Sequence, residues 1–442
     1  MGTERIYTIA LGIVRELQAA GHRALFVGGC VRDELLGIPL KDIDIATDAH
    51  PDRVLEIFPD ARLVGAKFGV VVVSREEFSF EVATFRKDGV YVDHRHPASV
   101  SFGRLEDDVR RRDFTINALF HDPISGEIID RVGGREDLKN GLIRCIDSPQ
   151  QRFQEDALRL LRAIRFAARL GFAIHEDTMT AMEELAPTIQ YISAERHREE
   201  LTRILLGPRA GAAFHAMLKC GLLRWLLPEV EALHGVEQGR EHHPEGDVFT
   251  HTMLVVDFVE PRTVQTVWGA LLHDIGKAVT FHRDPTTGKI SFHNHAHVGG
   301  CMARQILNRL KFSTEDTATI VALVARHMHV MDITKMKAST LRRFLGAPTI
   351  EGDLAVHRAD CLGSSGNLAY WDFANGKLAE FRARQEELLP KPLITGRDLI
   401  ACGVKPGAAM GAFLRGAHEA QLGGAFSTRE QALDWLKANP PA

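Results

Sequence analysis

The sequence predicts an α+β protein in which a small α/β head precedes a mostly α-helical body. Up to about residue 145, short apolar runs of strand length alternate with segments of helical spacing. Beyond that point helix-compatible patterning dominates, and prolines near 149, 208, 228 and 244 mark candidate boundaries between domains or segments. We therefore expect a head over residues 1–145, a helical domain over 146–230, a second helical domain over 231–365 and a helical tail over 366–442.

The head begins with a strand and a glycine turn. Residues 24–27 form a short apolar run typical of a buried strand, and Gly28 and Gly29 follow directly. Because glycine has no Cβ, the backbone N–H groups of this turn can approach a triphosphate closely. Arg32 can add a cation with a fixed, bidentate geometry. We interpret Gly29 and Arg32 as nucleotide-binding residues.

Two carboxylates follow this turn. Asp42 and Asp44 alternate with Ile43 and Ile45, so a strand would place both carboxylates on one face. Mg²⁺ prefers oxygen ligands, and paired ions about 4 Å apart can activate an attacking hydroxyl while neutralising a leaving pyrophosphate. The pattern predicts that Asp42 and Asp44 are catalytic Mg²⁺ ligands for nucleotidyl transfer. Glu81, on a strand predicted from Phe78, is either a third carboxylate of this site or an ordinary solvent-facing residue.

A helix predicted over residues 155–172 carries a polar stripe. Its members recur every three residues and therefore lie on one slowly rotating face: Asp156, Arg159, Arg162 and Arg165. Asp156 and Arg159 would be surface neighbours, either as a simple ion pair or as a reader of bases. Cytosine and adenine both present an exocyclic amine beside a ring-nitrogen acceptor, which a carboxylate and a guanidinium can match. Guanine and uracil present the opposite order, so such a pair would select C and A without a nucleic-acid template.

Three of these motifs together resemble a known family. GGCVRD followed by DID, the run RRDFTINAL from Arg111, and the Glu-Asp-x-x-Arg motif at 155–159 are similar to signatures of the class II tRNA nucleotidyltransferase and bacterial poly(A) polymerase superfamily. The resemblance implies a polymerase beta-like nucleotidyltransferase head with Arg112 at the triphosphate or ribose. It also implies that Asp156 and Arg159 form the protein template, and that Arg162 and Arg165 hold the triphosphate or the primer end.

The polar loop after the Phe78 strand, with Gly89 and Pro97, matches a flexible element of that superfamily. In the resembling enzymes this element is needed when the enzyme switches from adding C to adding A. Its presence argues against a purely C-adding relative.

Histidine is concentrated downstream, with twelve of the 21 between His234 and His357. The candidate ligands stand in the order of an HD-type metallohydrolase: His251, His273, Asp274, His295, His327 and Asp360. Such imidazoles and carboxylates bind one or two divalent metals that lower the pKa of a bound water, here Ni²⁺, Mn²⁺ or Mg²⁺. His297 and His329 are alternatives to their neighbours. The resemblance implies the subgroup with an HD phosphohydrolase domain, acting on phosphate monoesters and 2′,3′-cyclic phosphates.

Composition restricts the partners. A net charge of −4 confines RNA contact to local patches, for which the arginines of 104–112 and 159–169 are candidates. The tail from 391 to 414 resembles the C-terminal element that grips the tRNA body. Six cysteines without a CxxC pair favour reduced thiols, and no apolar run reaches the roughly 18 residues of a membrane span. We expect a cytoplasmic protein with no membrane partner.

The sequence thus predicts template-independent addition of CCA to the tRNA 3′ end from CTP and ATP with Mg²⁺, together with a phosphohydrolase. A poly(A) polymerase or an A-adding enzyme would share this head and loop. A third hypothesis is an HD phosphohydrolase whose inactive head only binds RNA. The intact Asp42 and Asp44 argue against this hypothesis. The oligomeric state stays open.

Overall fold

The computed structural model describes residues 2–64, 69–89, 91, 99–239, 243–384 and 386–440. Two compact units make up the chain, Met1–Glu231 and Ala232–Ala442. The first begins as a small α/β head and continues in helices, and the second is almost entirely helical. The predicted α+β fold class is therefore confirmed, while the boundaries at 145 and 365 stay predictions. In the part of the chain described, no helix has both the length and the apolar character to cross a membrane.

The head alternates strands and helices. Its elements are α1 (Gly2–Ala19), β1 (Ala24–Val27), α2 (Gly29–Leu35), β2 (Ile45–Thr47), α3 (Pro51–Ile57), β3 (Arg62–Leu63), β4 (Val70–Arg75), β5 (Phe78–Thr84), β6 (Arg86–Asp88), β7 (Val100–Phe102), α4 (Leu105–Arg110), β8 (Phe120–His121), β9 (Ile128–Ile129), α5 (Gly134–Asn140) and β10 (Leu142–Ile143). The loop predicted after β5 lies in part outside the described residues, at 90 and 92–98.

Seven strands of the head form one mixed sheet in the order β3-β4-β5-β2-β1-β8-β9. β1 lies in its interior with all four residues buried, as the apolar run 24–27 predicts. β2 pairs with β5 in parallel, with Ile45 opposite Val82, and the other pairs are antiparallel. In this register the residue before Ile45 lies beside the residue before Val82, so Asp44 and Glu81 are brought together.

The strand after the paired carboxylates is shorter than predicted. β2 begins at Ile45, and Asp42 and Asp44 lie in the segment that leads into it. One hydrogen bond still ties this segment to the sheet, because Val27 N–H donates to the Asp44 carbonyl at 3.0 Å. The predicted alternation holds, since Ile43 and Ile45 are buried. Both aspartates therefore keep a common orientation without belonging to the strand.

Helices complete the first unit. They are α6 (Pro149–Glu155), α7 (Leu158–Leu170), α8 (Glu176–Leu185), α9 (Ala194–Leu206), α10 (Ala210–Lys219), α11 (Leu223–Leu226) and α12 (Pro228–Glu231), with the short strand β11 (Ala173–Ile174) after α7. The single helix predicted over 155–172 is therefore wrong. Asp156 has extended dihedrals, φ −143° and ψ 103°, and its carboxylate accepts from Leu158 N–H at 3.0 Å. This local hydrogen bond competes with a continuous helix and starts α7 afresh.

The second unit has more than one apolar cluster, and Trp268 is fully buried within this unit. Its elements are α13 (Val248–Phe258), α14 (Val264–Leu272), α15 (Lys277–Thr280), β12 (Phe281–Arg283), β13 (Ile290–Phe292), α16 (His295–Arg309), α17 (Thr314–Arg326), α18 (Ala338–Leu345), α19 (Ile350–Gly363), α20 (Ala369–Ala383), α21 (Gly396–Ala401), α22 (Ala408–Leu422) and α23 (Arg429–Ala438). α13, α14, α16, α17 and α19 contact one another and form the layer that carries the histidines. The last three helices enclose a small apolar core of their own around Leu399, Phe426 and Leu436.

Candidate active site and metal centre

Three carboxylates converge beside β2 and β5, two neighbouring interior strands of the head sheet. Partial desolvation, followed by the charges of Glu81 and Asp42, raises the pKa of Asp44 to about 6, whereas Arg112 opposes the shift. Such mutual repulsion shows that the three carboxylates share one small region. They are hard oxygen donors, which is the ligand set that Mg²⁺ prefers, and a bound cation would relieve the repulsion. Glu81 thus lies with the pair that the sequence predicted.

The glycine turn faces the same region. Gly28 has φ +76° and precedes α2, and a Cβ there would lie 3.1 Å from Arg112 Nη1. Because that conformation is left-handed, glycine is favoured at this position. The turn therefore leaves room for Arg112 next to the backbone N–H groups.

Arg32 is more constrained than the sequence suggests. Its side chain is 2% exposed, Nε and Nη2 donate to Asp33 Oδ1, and Nη1 donates to Asn117 Oδ1 at 2.6 Å. Three of its five N–H groups are therefore used within the protein. Only the two remaining N–H groups of Arg32 are available to bind a nucleotide.

Three other cleft arginines, Arg112, Arg162 and Arg165, are each held by a buried carboxylate. Asp108 accepts from Arg112 Nη2 at 2.9 Å, Asp113 lies 2.6 Å from Arg162 Nη2, and Glu200 accepts from Arg165 Nε at 2.6 Å; all three acceptors are nearly fully buried. The guanidinium groups of Arg32, Arg162 and Arg165 also lie 4.6–5.3 Å from the ring centroid of Phe166. Cation–π contacts and charged hydrogen bonds therefore fix the direction of these cations.

Asp156 and Arg159 are not the ion-paired surface neighbours that a continuous helix would make. Arg159 is 7% exposed, and its Nη1 donates to Glu155 Oε2 at 2.7 Å and to the Arg152 carbonyl at 2.9 Å. Its Nη2 donates to the Arg111 carbonyl at 3.0 Å. Both residues nevertheless line one cleft. They present a carboxylate and a restrained guanidinium side by side without neutralising each other.

All nine residues predicted as nucleotide or Mg²⁺ site residues, from the head and from the helical domain after it, line this cleft of about 680 Å³. Further lining residues were not predicted as nucleotide-binding or metal-binding residues, although Arg111 and Arg169 belong to the arginine clusters proposed for RNA contact: Lys41, Arg111, Asp113, Asn117, Phe166, Arg169 and Arg196. Most of them belong to motifs already noted, and Arg196 belongs to the segment ERHREE at the start of α9. Periodicity could not separate them from solvated helix faces, because that distinction depends on which surface faces the cleft.

A second group of ligands lies in the other unit, around Asp274. His273 Nε2 is 3.2 Å from Asp274 Oδ2, while His295 Nε2 and His327 Nε2 are 3.5 and 3.6 Å from Asp274 Oδ1. His251 Nε2 lies 3.1 Å from Asp360 Oδ1 and 3.8 Å from Asp274 Oδ2. All six residues predicted as HD ligands are thus brought together. The alternatives His297 and His329 are exposed.

Backbone carbonyls set the orientation of three of these imidazoles. His273 Nδ1 lies 2.8 Å from the Ala270 carbonyl, His295 Nδ1 lies 2.9 Å from that of Phe292, and His327 Nδ1 lies 2.8 Å from that of Val324. A carbonyl can only accept, so each Nδ1 carries the proton and each Nε2 offers a lone pair. This is the tautomer that a metal ligand requires.

The electrostatics of the centre favour a cation. Although burial opposes it, hydrogen bonding to Asp360 and then to Glu245 raises the pKa of His251 to about 9. Burial by itself raises the pKa of Asp274, but the charge of Lys277, followed by that of His273, holds it well below its usual range. His273 Nε2 is buried without a hydrogen-bond partner among the described residues. Nitrogen and carboxylate donors of this kind suit a divalent transition metal, so the residues present fit one.

The sequence missed several neighbours of this centre. Lys277 Nζ lies 2.6 Å from Asp274 Oδ2, and His243 and His357 line the adjoining cavity of about 450 Å³. Glu245 Oε1 is 2.8 Å from His251 Nδ1. Lys277 and Glu245 lie within six residues of a predicted ligand in the chain, which is the one signal that could have found them.

Matches to known families follow the same division of the chain. The poly A polymerase head domain matches residues 24–144, a probable RNA- and SrmB-binding site of polymerase A matches 171–233, and the HD domain matches 248–364. The fold and the two sites therefore define a nucleotidyltransferase of the poly(A) polymerase type with an HD domain.

Similar proteins of known name identify the family within this class. The CCA-adding enzyme of Bacillus pumilus is 41% identical over 284 residues, which are 63% of this chain and 67% of that protein. That of Geobacillus thermodenitrificans is 50% identical over 218 residues, 49% of this chain and 54% of the relative. A crystal structure of the Bacillus stearothermophilus CCA-adding enzyme in complex with CTP has a TM-score of 0.74 at 29% identity, covering 97% of this chain and 96% of that one. The chain belongs to the CCA-adding enzyme family, although it spans only about half the length of the curated relatives it matches first.

Proposed function

We propose that this protein adds CCA to the 3′ end of tRNA, using CTP and ATP, and that its second unit is a phosphohydrolase. The observation that carries the first activity is the cleft that Asp42 and Asp44 line together with Asp156 and the restrained Arg159, with Glu81 beside Asp44. The similarity to the CCA-adding enzymes of Bacillus and Geobacillus supports it.

In the head, the tRNA 3′-hydroxyl oxygen forms a bond to the α-phosphorus of the nucleotide, and the bond to the pyrophosphate oxygen breaks. Asp42 and Asp44, with Glu81 beside them, would hold Mg²⁺, which when bound neutralises triphosphate charge and makes the hydroxyl easier to deprotonate. The backbone N–H group of Gly29 and the free N–H groups of Arg112 bind the phosphates. Arg162 and Arg165, whose directions are set by Asp113 and Glu200, hold the triphosphate or the primer end in this proposal.

Asp156 and Arg159 read the base. The Asp156 carboxylate accepts from the exocyclic amine of C or A, and a remaining N–H of Arg159 donates to the ring nitrogen. Uracil and guanine would set acceptor against acceptor and donor against donor, at about 1–3 kcal/mol for each unsatisfied group. Because Arg159 is held by Glu155 and two carbonyls, it cannot turn away to accommodate them.

The phosphohydrolase proposal depends on the six ligands around Asp274. They would hold one or two divalent metals, Ni²⁺, Mn²⁺ or Mg²⁺, which supply a bound water of lowered pKa. Phosphate monoesters and 2′,3′-cyclic phosphates are the proposed substrates. Lys277 lines the cavity, and together with the metals, when bound, it would give the cavity floor the positive charge that attracts a phosphate group.

Extension of tRNA transcripts that end before CCA, at C or at CC tests the first activity. With CTP and ATP we expect addition to stop after CCA, resolved at single-nucleotide length. A long A ladder would instead indicate a poly(A) polymerase, and extension of the CC-ended transcript alone would indicate an A-adding enzyme. If no transcript is extended, the remaining hypothesis is a phosphohydrolase whose inactive head only binds RNA.

Paired variants test the independence of the two sites. Asp42→Ala with Asp44→Ala should abolish nucleotide addition and keep phosphatase activity on a chromogenic phosphate monoester. His273→Ala with Asp274→Ala should do the reverse, because the two ligand sets share no residue. Loss of both activities in either variant would contradict the two-site proposal.

A further inference from the structure

His251 differs from the other three imidazoles of the HD centre. Those three hold Nδ1 against the carbonyl of the residue three positions earlier. The Nδ1 of His251 instead lies 2.8 Å from a carboxylate oxygen, Glu245 Oε1. His251 is fully buried, so water cannot replace this partner.

Glu245 lies in the segment before α13 and is itself almost buried, with a side-chain exposure of 9%. The same oxygen is 2.9 Å from His243 Nδ1, and the second oxygen is buried without a hydrogen-bond partner among the described residues. The carboxylate is therefore set between two imidazoles. A carboxylate only accepts, so Glu245 requires a proton on His251 Nδ1, and Nε2, which faces Asp360 and Asp274, is the nitrogen left to bind a metal in place of a proton.

We propose that Glu245 is a positioning residue of the HD metal centre, where its carboxylate fixes the tautomer and ring orientation of His251 for a divalent metal. This inference rests on the proposed metal centre. A carboxylate on the far nitrogen of a ligating histidine also makes the ligand more basic, and loss of such a partner commonly weakens metal binding 10- to 100-fold. Glu245 acts through His251, and no contact with substrate is assigned to it.

Cobalt binding to the full-length, chelator-treated protein tests this inference, because Co²⁺ favours imidazole donors and its visible absorption reports their coordination. Glu245→Ala should weaken Co²⁺ binding about 10- to 100-fold by calorimetric titration and alter the absorption bands. Glu245→Gln keeps one acceptor oxygen without the charge. Its Co²⁺ affinity should lie between that of the parent and that of Glu245→Ala. Circular dichroism and tryptophan fluorescence of the same samples should be unchanged, which shows that the second unit is folded, and nucleotide addition should be unchanged as well.

Three controls locate the effect. Glu237→Gln removes an exposed carboxylate that pairs with Arg283, and it should leave Co²⁺ affinity at the parent value. His243→Ala removes the second imidazole on Glu245 but no predicted ligand, so it should weaken Co²⁺ binding less than Glu245→Ala does. His273→Ala identifies the signal that belongs to this centre.

The outcomes separate the two proposals. If the parent shows no Co²⁺ signal that depends on His273, the metal centre itself is wrong. If the parent binds Co²⁺ and both Glu245 variants bind it equally well, the centre stands and the positioning role of Glu245 is overturned. Intermediate affinity for Glu245→Gln with a lower affinity for Glu245→Ala supports the role.

Discussion

At the scale of single residues, the nucleotidyl-transfer cleft is organised by carboxylates that point at arginines. Asp113 shows the principle: it is 7% exposed, and it accepts from Arg162 and from Asn117 Nδ2 at 3.0 Å. Burial by itself raises the pKa of Asp113, but the charge of Arg162 and these hydrogen bonds lower it to about 2. The arginine is thereby oriented into the cleft, and the carboxylate is kept ionised.

Asp113→Asn should destabilise the first unit at neutral pH and much less in acid. The pKa of about 2 in the folded state is below the roughly 3.9 of an unfolded aspartate, so the contribution is full above pH 4 and is lost as pH falls toward 2. Removing one partner of a buried pair costs about 3–5 kcal/mol. Urea unfolding followed by circular dichroism at pH 7 and pH 3 measures this change in the free energy of unfolding. Asp52→Asn, at an exposed site, is the control, and a difference that did not shrink at pH 3 would refute the assignment.

At the scale of elements, the HD centre depends on a close approach between the end of the His273-Asp274 turn and the start of α16. A Cβ on Gly276 would lie 2.2 Å from the His295 carbonyl and 2.8 Å from Gly299 N. Both obstacles are backbone atoms, so no side-chain rotation can relieve the clash. Gly276 thus allows His295 to reach Asp274.

Gly276→Ala should displace the start of α16, destabilise the second unit by about 1–3 kcal/mol and weaken Co²⁺ binding. Gly416→Ala is the matched control, since Gly416 lies inside α22 with no atom within 4 Å of its added Cβ. That substitution should be neutral or stabilise by up to about 1 kcal/mol, because alanine favours helix. Thermal unfolding and Co²⁺ titration compare the two variants. Equal thermal stability and equal Co²⁺ affinity of the two variants would show that the close approach between Gly276 and the start of α16 is not needed.

At the scale of the whole molecule, each unit contains one complete set of candidate ligands. The carboxylates of the head belong to Met1–Glu231, and the histidines around Asp274 belong to Ala232–Ala442. A metal that binds only the folded second unit should stabilise that unit alone. This follows from mass action and requires no assumption about how the units are arranged.

Ni²⁺ should therefore raise the stability of the second unit selectively, by about 2.7 kcal/mol at 100 times its Kd. Tryptophan fluorescence reports mainly on this unit, since three of the 4 tryptophans, Trp268, Trp371 and Trp435, lie in it. The fluorescence-detected urea midpoint should rise with Ni²⁺ in the parent and stay constant in His273→Ala with Asp274→Ala. Hydrogen exchange of β1 should be insensitive to Ni²⁺. An equal shift in the double variant would place the metal elsewhere.

Several features followed from the sequence because they depend on neighbouring residues alone. The apolar run 24–27 forms an interior strand, Asp42 and Asp44 keep the alternation with Ile43 and Ile45, and the fold class is as predicted. Strand alternation and apolar periodicity are properties of local backbone geometry, so the printed spacing determines them.

The tertiary structure decided which polar groups face one another. The helix predicted over 155–172 is interrupted at Asp156. Most of the described hydrogen bonds of the Arg32 guanidinium go to Asp33 and Asn117. His295, and not His297, faces Asp274. The tertiary structure also placed Glu245 behind His251. These outcomes depend on packing between segments that are distant in the chain, and on hydrogen-bond partners that no local spacing encodes. The amino-acid sequence by itself determined the ligand types and their order, and the folded chain determined their pairing.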